Sequence, residues 1–204
     1  NTFVSDSATY DITAWSIPFA HGVKGYSVKE KLDINAFKKA ADVTDVQTDY
    51  GLLIPYKSMN AVQVMTKLLN QKIRLRYSDK PFSYKGKNYD RGTLIVLKGG
   101  NRPDWQAITM QACKEFNIQP DAVGSGFVDK GADFGSPDVK YIKPPRVALA
   151  AGANISNTAS GEVWSLFEQT LHYPVSRIDV KNLERISIDD FDVLIMPDGN
   201  YNML

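Results

Sequence analysis

At 204 residues, with 43% hydrophobic and 23% charged residues, the chain can bury a sizeable core and has an ordinary globular composition. Its 24 Lys and Arg against 23 Asp and Glu leave a formal charge of +1; this excludes a global field for nucleic acid or anionic lipid, and no Lys/Arg block marks a nucleic-acid arm. The single cysteine, Cys113, excludes an intramolecular disulfide and a thiolate-rich zinc site, and the longest apolar stretch, residues 147–153, is far too short to span a bilayer.

Residues 1–50 read as an N-terminal extended or linker segment. Residues 11–18 look extended, 19–26 form a glycine-containing loop, and 31–48 are a polar surface excursion. The chain begins at Asn1 rather than Met, so an upstream segment removed from it is expected.

A first unit covers residues 51–143. The run Leu52-Leu-Ile54, ended by Pro55, predicts a buried strand. Ser58 is a predicted N-cap, and Ala61, Val62, Met65, Leu68 and Leu69 follow at helical spacing. Residues 73–77 alternate like a strand, and 82–90, with Gly86 between lysines, suggest a hairpin or an excursion at the sheet edge. Residues 93–97 predict another buried strand, closed by Gly99 and Gly100. Pro103 and Asp104 suit the first turn of a helix with Trp105, Ile108, Ala112 and Phe116 on one face. The glycine-rich stretch 124–137 reads as a connection between two halves.

A second unit covers residues 144–204. It holds a strand at 147–151, a helix over 162–171 opened near Ser160, an alternating strand at 175–180, and a buried strand at 193–196 that ends in Pro197-Asp-Gly-Asn200. Helices alternating with apolar strands predict an α/β fold, a mostly parallel doubly wound sheet with helices on both faces. The two halves run in the same order of elements, so they read as two similar half-units by duplication or as the ordinary repetition of strand–helix units in such a fold. The C-terminal unit is expected to be truncated, since a parallel strand feeds a crossover and the chain stops just past Asp198 and Gly199.

Few residues carry a chemical signature. His21 and His172 stand alone, without an H-x-x-E or H-E-x-x-H partner, and read as structural. Cys113 lies mid-helix beside the apolar face, where a thiol is a small hydrophobe rather than a nucleophile. There is no G-x-S-x-G, and Asp189, Asp190 and Asp192 read as solvated turn residues. The loop 152–161 joins a strand to a helix N-terminus but lacks the Lys of a P-loop, so it reads first as a surface loop and second as an anion site. Open parallel sheets bind ligands at the carboxyl ends of their strands, which makes Gly152, Asn154, Asp198, Gly199 and Asn200 the candidate binding residues. No catalytic or metal-ligating residue is assigned.

In the second half, Pro145-Arg-Val-Ala-Leu, Ser160-Gly-Glu-Val-Trp and Phe191-Asp-Val-Leu-Ile-Met-Pro-Asp-Gly-Asn-Tyr201 resemble a class I glutamine amidotransferase-like domain. They are similar in particular to the one that follows the catalytic domain in large Bacteroidetes-type zinc carboxypeptidases. In the first half, Thr13-Ala-Trp-Ser-Ile-Pro18, Lys80-Pro-Phe82, Arg91-Gly-Thr-Leu-Ile-Val96 and Gly131-Ala-Asp-Phe-Gly-Ser136 resemble the stretch between peptidase and module.

The resemblance implies a non-catalytic accessory domain of a secreted zinc metallocarboxypeptidase. Its partner would be the upstream peptidase domain of the same polypeptide, and its location extracytoplasmic. Zinc would belong to that parent, with no cofactor in this fragment. The resemblance also implies that Pro197-Asp-Gly199 occupies the place of an oxyanion-hole turn, with a nucleophilic cysteine expected beyond Leu204. Two other readings stand beside it: an amidotransferase-like hydrolase using Cys113, and a peptide- or carbohydrate-binding module. Nucleic acid and a membrane span are not expected as partners.

Overall fold

The structure, a computed structural model, describes residues 24–27, 29–31 and 42–202. The chain divides into two units, Asn1–Ala41 and Asp42–Leu204, and the architecture below is that of the second. The extended reading of residues 11–18 and the placing of His21 lie outside the described residues. Residues 42–48 carry neither helix nor strand.

The first sheet is built from β1 (Gly51–Ile54), β2 (Leu75–Ser78), β5 (Leu94–Leu97), β6 (Asp121–Val123) and β7 (Val139–Tyr141). Helix α1 (Met59–Asn70) joins β1 to β2, and α2 (Trp105–Glu115) joins β5 to β6. The strand order is β6-β1-β5-β2-β7, and every neighbouring pair is antiparallel. Both β1 and β2 run antiparallel to β5, so they are parallel to each other with β5 between them. By the same logic β5 and β6 are parallel across β1. The sheet is thus two interleaved split β-α-β units, the ferredoxin-like arrangement, with β7 added outside β2.

This overturns the expected doubly wound parallel sheet. A split β-α-β unit has the same order of strand, helix and strand as an ordinary one, and its two strands are still parallel. Only the antiparallel strand inserted between them differs, and that strand comes from elsewhere in the chain. The fully apolar β1 and β5 misled for a second reason: a continuous apolar run reports burial on both faces, whatever the direction of pairing. Helices also do not cover both faces of this sheet. Leu52, Ile54, Leu75 and Val96 pack with Val64 and Leu68 of α1 and Met110 and Cys113 of α2. On the opposite face, Leu53, Ile95, Leu97 and Val123 pack against Phe134 and a hairpin.

That hairpin pairs β3 (Phe82–Tyr84) with β4 (Lys87–Tyr89), and Phe82 stacks on Tyr89 with ring centroids 5.0 Å apart. The glycine-rich stretch 124–137 does more than connect two halves. It folds over the sheet, pairs with the hairpin at Ser83 and Lys130, and inserts Phe134 as a wholly buried plug. Glycine is required where it passes closest: a Cβ on Gly131 would lie 2.8 Å from the Phe82 Cβ, and Gly131 has φ +100°.

Among the described residues, parallel pairing is confined to a second sheet of three strands, β8 (Val147–Ala151), β9 (Val175–Asp179) and β10 (Val193–Ile195), in the order β10-β8-β9. The two halves are therefore not repeats of one arrangement. Helix α3 (Asn157–Ser165) runs on into a π-helical turn, Leu166–Thr170, and starts earlier than its sequence suggests. Ser156 is its N-cap, with Oγ accepting the Ala159 N–H at 3.3 Å, while Ser160 is an interior position. The strand expected to be buried at 193–196 is an edge: Val193 is 42% and Met196 47% exposed. The two sheets share one core, since Val147, Leu171 and Tyr173 belong to the cluster that holds α1 and α2. Thr66 Oγ1 in α1 also donates to the Leu171 carbonyl at 2.9 Å. Among the described residues, no helix is long and apolar enough to cross a membrane.

Candidate functional site

The strand order of the parallel sheet reverses at β8, so its ligand-binding crevice would lie between the loops after β8 and β10. All five candidate residues, Gly152, Asn154, Asp198, Gly199 and Asn200, lie in these two loops. The loops are paired with each other. Ile155 and Gly199 form an antiparallel bridge, in which Ser156 N–H donates to the Asp198 carbonyl and Asn200 N–H to the Asn154 carbonyl, both at 2.8 Å. The Asn200 side chain accepts from Asn202 N–H at 2.9 Å. A Cβ on Gly152, at φ +118°, would lie 2.8 Å from the Asp179 carboxylate, which caps the turn after β9 by accepting from Lys181 N–H. Much of the backbone polarity that a ligand would use here is therefore spent on holding the two loops together.

The other described candidates are held by the fold. Cys113 is wholly buried, and burial pushes its thiol up to about 12. His172 closes the π-helical segment in the left-handed region, at φ +49°, with ring Nδ1 3.1 Å from the Glu168 carbonyl oxygen. Asp192 is not a free turn residue. It accepts from the Arg146 N–H at 2.8 Å and from its guanidinium, and these contacts hold its carboxyl down at about 2. Ser160 Oγ is the one buried side-chain polar atom without a hydrogen-bond partner among the described residues. Among the same residues, no group of three or more His, Cys, Asp and Glu side chains is placed to hold a metal ion.

A large concavity among the described residues lies elsewhere, beside the glycine-rich cover of the antiparallel sheet. It is an open cleft of about 1080 Å³, walled by Tyr50, Lys80, Pro81, Phe127 and the backbone of Gly124, Gly126 and Gly131. Phe127 is 77% exposed at this cleft, whereas Phe134, seven residues on, is buried under it. Gly126 lets the loop lie on Tyr50, since a Cβ there would be 2.3 Å from the Tyr50 hydroxyl oxygen. Lys80 is paired with Asp138 at 3.0 Å, and the Asp133 carboxylate accepts from Val128 N–H at 2.9 Å. The charged groups named here thus have partners, and the surface offered to a ligand is an aromatic face, a phenol and loop backbone. The sequence signal for this cleft was the glycine clustering, which serves equally for a flexible connection; burial of Phe134 is what makes it a wall.

A second cavity of about 640 Å³ adjoins the first, with Tyr50 and Gly135 lining both. No protein-family model, curated protein or solved structure matches this chain.

Proposed function

We propose that this chain is a non-catalytic accessory module of a secreted zinc metallocarboxypeptidase, and that it serves by binding a neutral polar chain, peptide or carbohydrate, in the cleft beside Phe127. The reading of the parent rests on the sequence resemblance; zinc, hydrolysis of C-terminal residues and an extracytoplasmic location belong to that parent. The upstream peptidase domain is the partner this reading supplies. The observation that carries the binding role is Phe127 itself, a large apolar ring left 77% exposed at the rim of this cleft of about 1080 Å³, beside loop backbone. An aromatic face with polar backbone beside it suits stacking against a sugar ring or an apolar side chain while amides and carbonyls bind the polar edges.

A hydrolase built on Cys113 is less well supported, because a thiol held near 12 inside the core is neither ionised nor within reach of a substrate. The test is a titration of the whole chain with peptide and oligosaccharide panels, followed by fluorescence or NMR, with zinc content and carboxypeptidase turnover measured on the same sample. Binding that is lost in Phe127→Ala, without stoichiometric zinc or turnover, is the expected result. Stoichiometric zinc with turnover removes the accessory reading, and binding that is indifferent to Phe127 removes the cleft.

A further inference from the structure

We propose that the second cavity, walled by Arg76, Lys98, Tyr141 and the turn at Gly99 and Gly100, binds an oxyanion, a carboxylate or phosphate group, with Arg74 beside it. Strand alternation sets this up. Leu75 points into the helix-covered core, so Arg76 and Arg74, the residue just before β2, emerge together on the other face. Tyr141 is the register partner of Arg76 on β7, and both guanidinium carbons lie over its ring, at 4.3 Å for Arg76 and 4.8 Å for Arg74.

Among the described residues, neither arginine is paired with a carboxylate. Arg76 donates to the Phe134 carbonyl at 2.8 Å and to the Tyr141 hydroxyl, both neutral acceptors. The Arg74 guanidinium makes no hydrogen bond to the protein among the described residues; only its backbone is held, by Asn101. By contrast Arg91, Arg102 and Arg146 each meet an aspartate within 3.2 Å. Lys98 adds a third positive charge at the cavity, and its nearest carboxylate, Asp49, is fully exposed and 3.8 Å away. Three cations therefore gather around one concavity with a single, loosely held counter-charge. Two guanidiniums on the same ring repel one another unless an anion is shared between them, and the planar fork of an unpaired arginine matches a carboxylate or phosphate.

The turn is shaped for the same purpose. Gly100 has φ +83°, and a Cβ there would lie 2.9 Å from Arg74 Nη1, so glycine lets the guanidinium rest on the backbone. The N–H groups of Gly99 and Gly100 are not given to any protein acceptor among the described residues. This site takes a charged group, whereas the neighbouring cleft presents a neutral face, so it is a separate function of the sheet.

The experiment is an NMR titration of the whole chain with three probes: inorganic phosphate, trialanine with a free C-terminal carboxylate, and trialanine amide. The amide signals of Gly99 and Gly100 and the guanidinium signals of Arg74 and Arg76 are expected to shift with an oxyanion probe and not with the amide. A response to trialanine but not phosphate assigns a carboxylate ligand, and the reverse assigns a phosphate. Arg74→Gln and Lys98→Gln change exposed side chains, and each is expected to weaken the binding roughly tenfold. Equal shifts from acid and amide, no shift from either oxyanion, or binding unaffected by both variants overturns the proposal.

Discussion

Ile155 and Gly199 face each other across a single antiparallel bridge, and this pair ties together the two loops where the strand order of the parallel sheet reverses. Their chain segments approach so closely that a Cβ on Gly199 would lie 2.8 Å from the Asn154 carbonyl oxygen and 2.9 Å from the Ile155 Cα. Both obstacles are backbone, so neither can rotate away. The glycine in Pro197-Asp-Gly199 is thus explained by loop pairing, without an anion at its N–H.

Gly199→Val is therefore expected to separate the loops and to destabilise the fold by about 1–3 kcal/mol, the usual cost of overpacking. Urea unfolding measures the loss. Hydrogen exchange gives its location, because the Ser156 and Asn200 amides should lose protection first. Unchanged protection of these two amides would mean that the bridge does not hold the loops.

Arg146 and Asp192 form a second clamp at the opposite ends of the same two strands. Arg146 precedes β8 and Asp192 precedes β10, and each backbone N–H is also used: Arg146 N–H to the Asp192 carboxylate, Asp192 N–H to the Arg146 carbonyl. The hydrogen bond from the Arg146 side chain is the main reason that the Asp192 carboxyl falls from its ordinary 3.8 to about 2. A carboxyl with a lowered folded pKa contributes stability above its unfolded value and loses it as pH falls through the folded one. Stability from this pair should therefore be complete above pH 4 and decline toward pH 2. A carboxyl titration by NMR should find the Asp192 midpoint near 2, and Asp192→Asn should flatten that part of the pH profile.

How far the sequence could be read depends on what each signal physically reports. Helical spacing placed α1 and α2 because burial of one stripe leaves its own period, and the hairpin showed in Gly86 between two lysines. The apolar runs at β1 and β5 reported burial of both faces, but burial carries no information on strand direction. Phe134 and the glycines around it gave no local sign that they cover the second face, since that contact joins positions far apart in sequence. The same limit applies to the cations. Arg74 and Arg76 alternate like any exposed strand residues, and only the pairing of β2 with β7 brings Tyr141 beside them at the cavity.

Cys113 offers a direct check on the core. With its thiol held near 12 by burial, about one molecule in 10,000 carries a thiolate at pH 8. Alkylation of the native chain should then be no faster than unfolding, and prompt in urea. The raised value also has a sign for stability. A thiol kept neutral in the fold contributes nothing below its ordinary value of 9 and destabilises as pH climbs above it toward 12, where the unfolded chain ionises and the native one does not. Fast labelling of the native chain would place Cys113 at the surface.

Ser160 should behave in the opposite way to most buried residues. Its Oγ is out of water without a partner among the described residues, and serine is a weaker helix former than alanine. Ser160→Ala is expected to be neutral or to stabilise by up to about 1 kcal/mol in urea unfolding. A clear loss would show that the hydroxyl has a bound partner.

Phe127 and Phe134 separate binding from folding within one loop. Phe134 is wholly buried, 5.7 Å from the Phe82 ring in an edge-on contact, and its removal leaves a cavity under the loop. Phe134→Ala should cost about 3–5 kcal/mol, the range for a buried aromatic truncated in a core. Phe127 sits in solvent at the rim of the cleft, and Phe127→Ala should change stability by less than about 0.5 kcal/mol. Thermal and urea unfolding of the two variants checks the contrast. If both are equally destabilised, Phe127 packs against the body of the loop and is no platform for a ligand. If only Phe134→Ala unfolds early, any loss of binding in Phe127→Ala belongs to the cleft itself, because the surface around it has stayed folded.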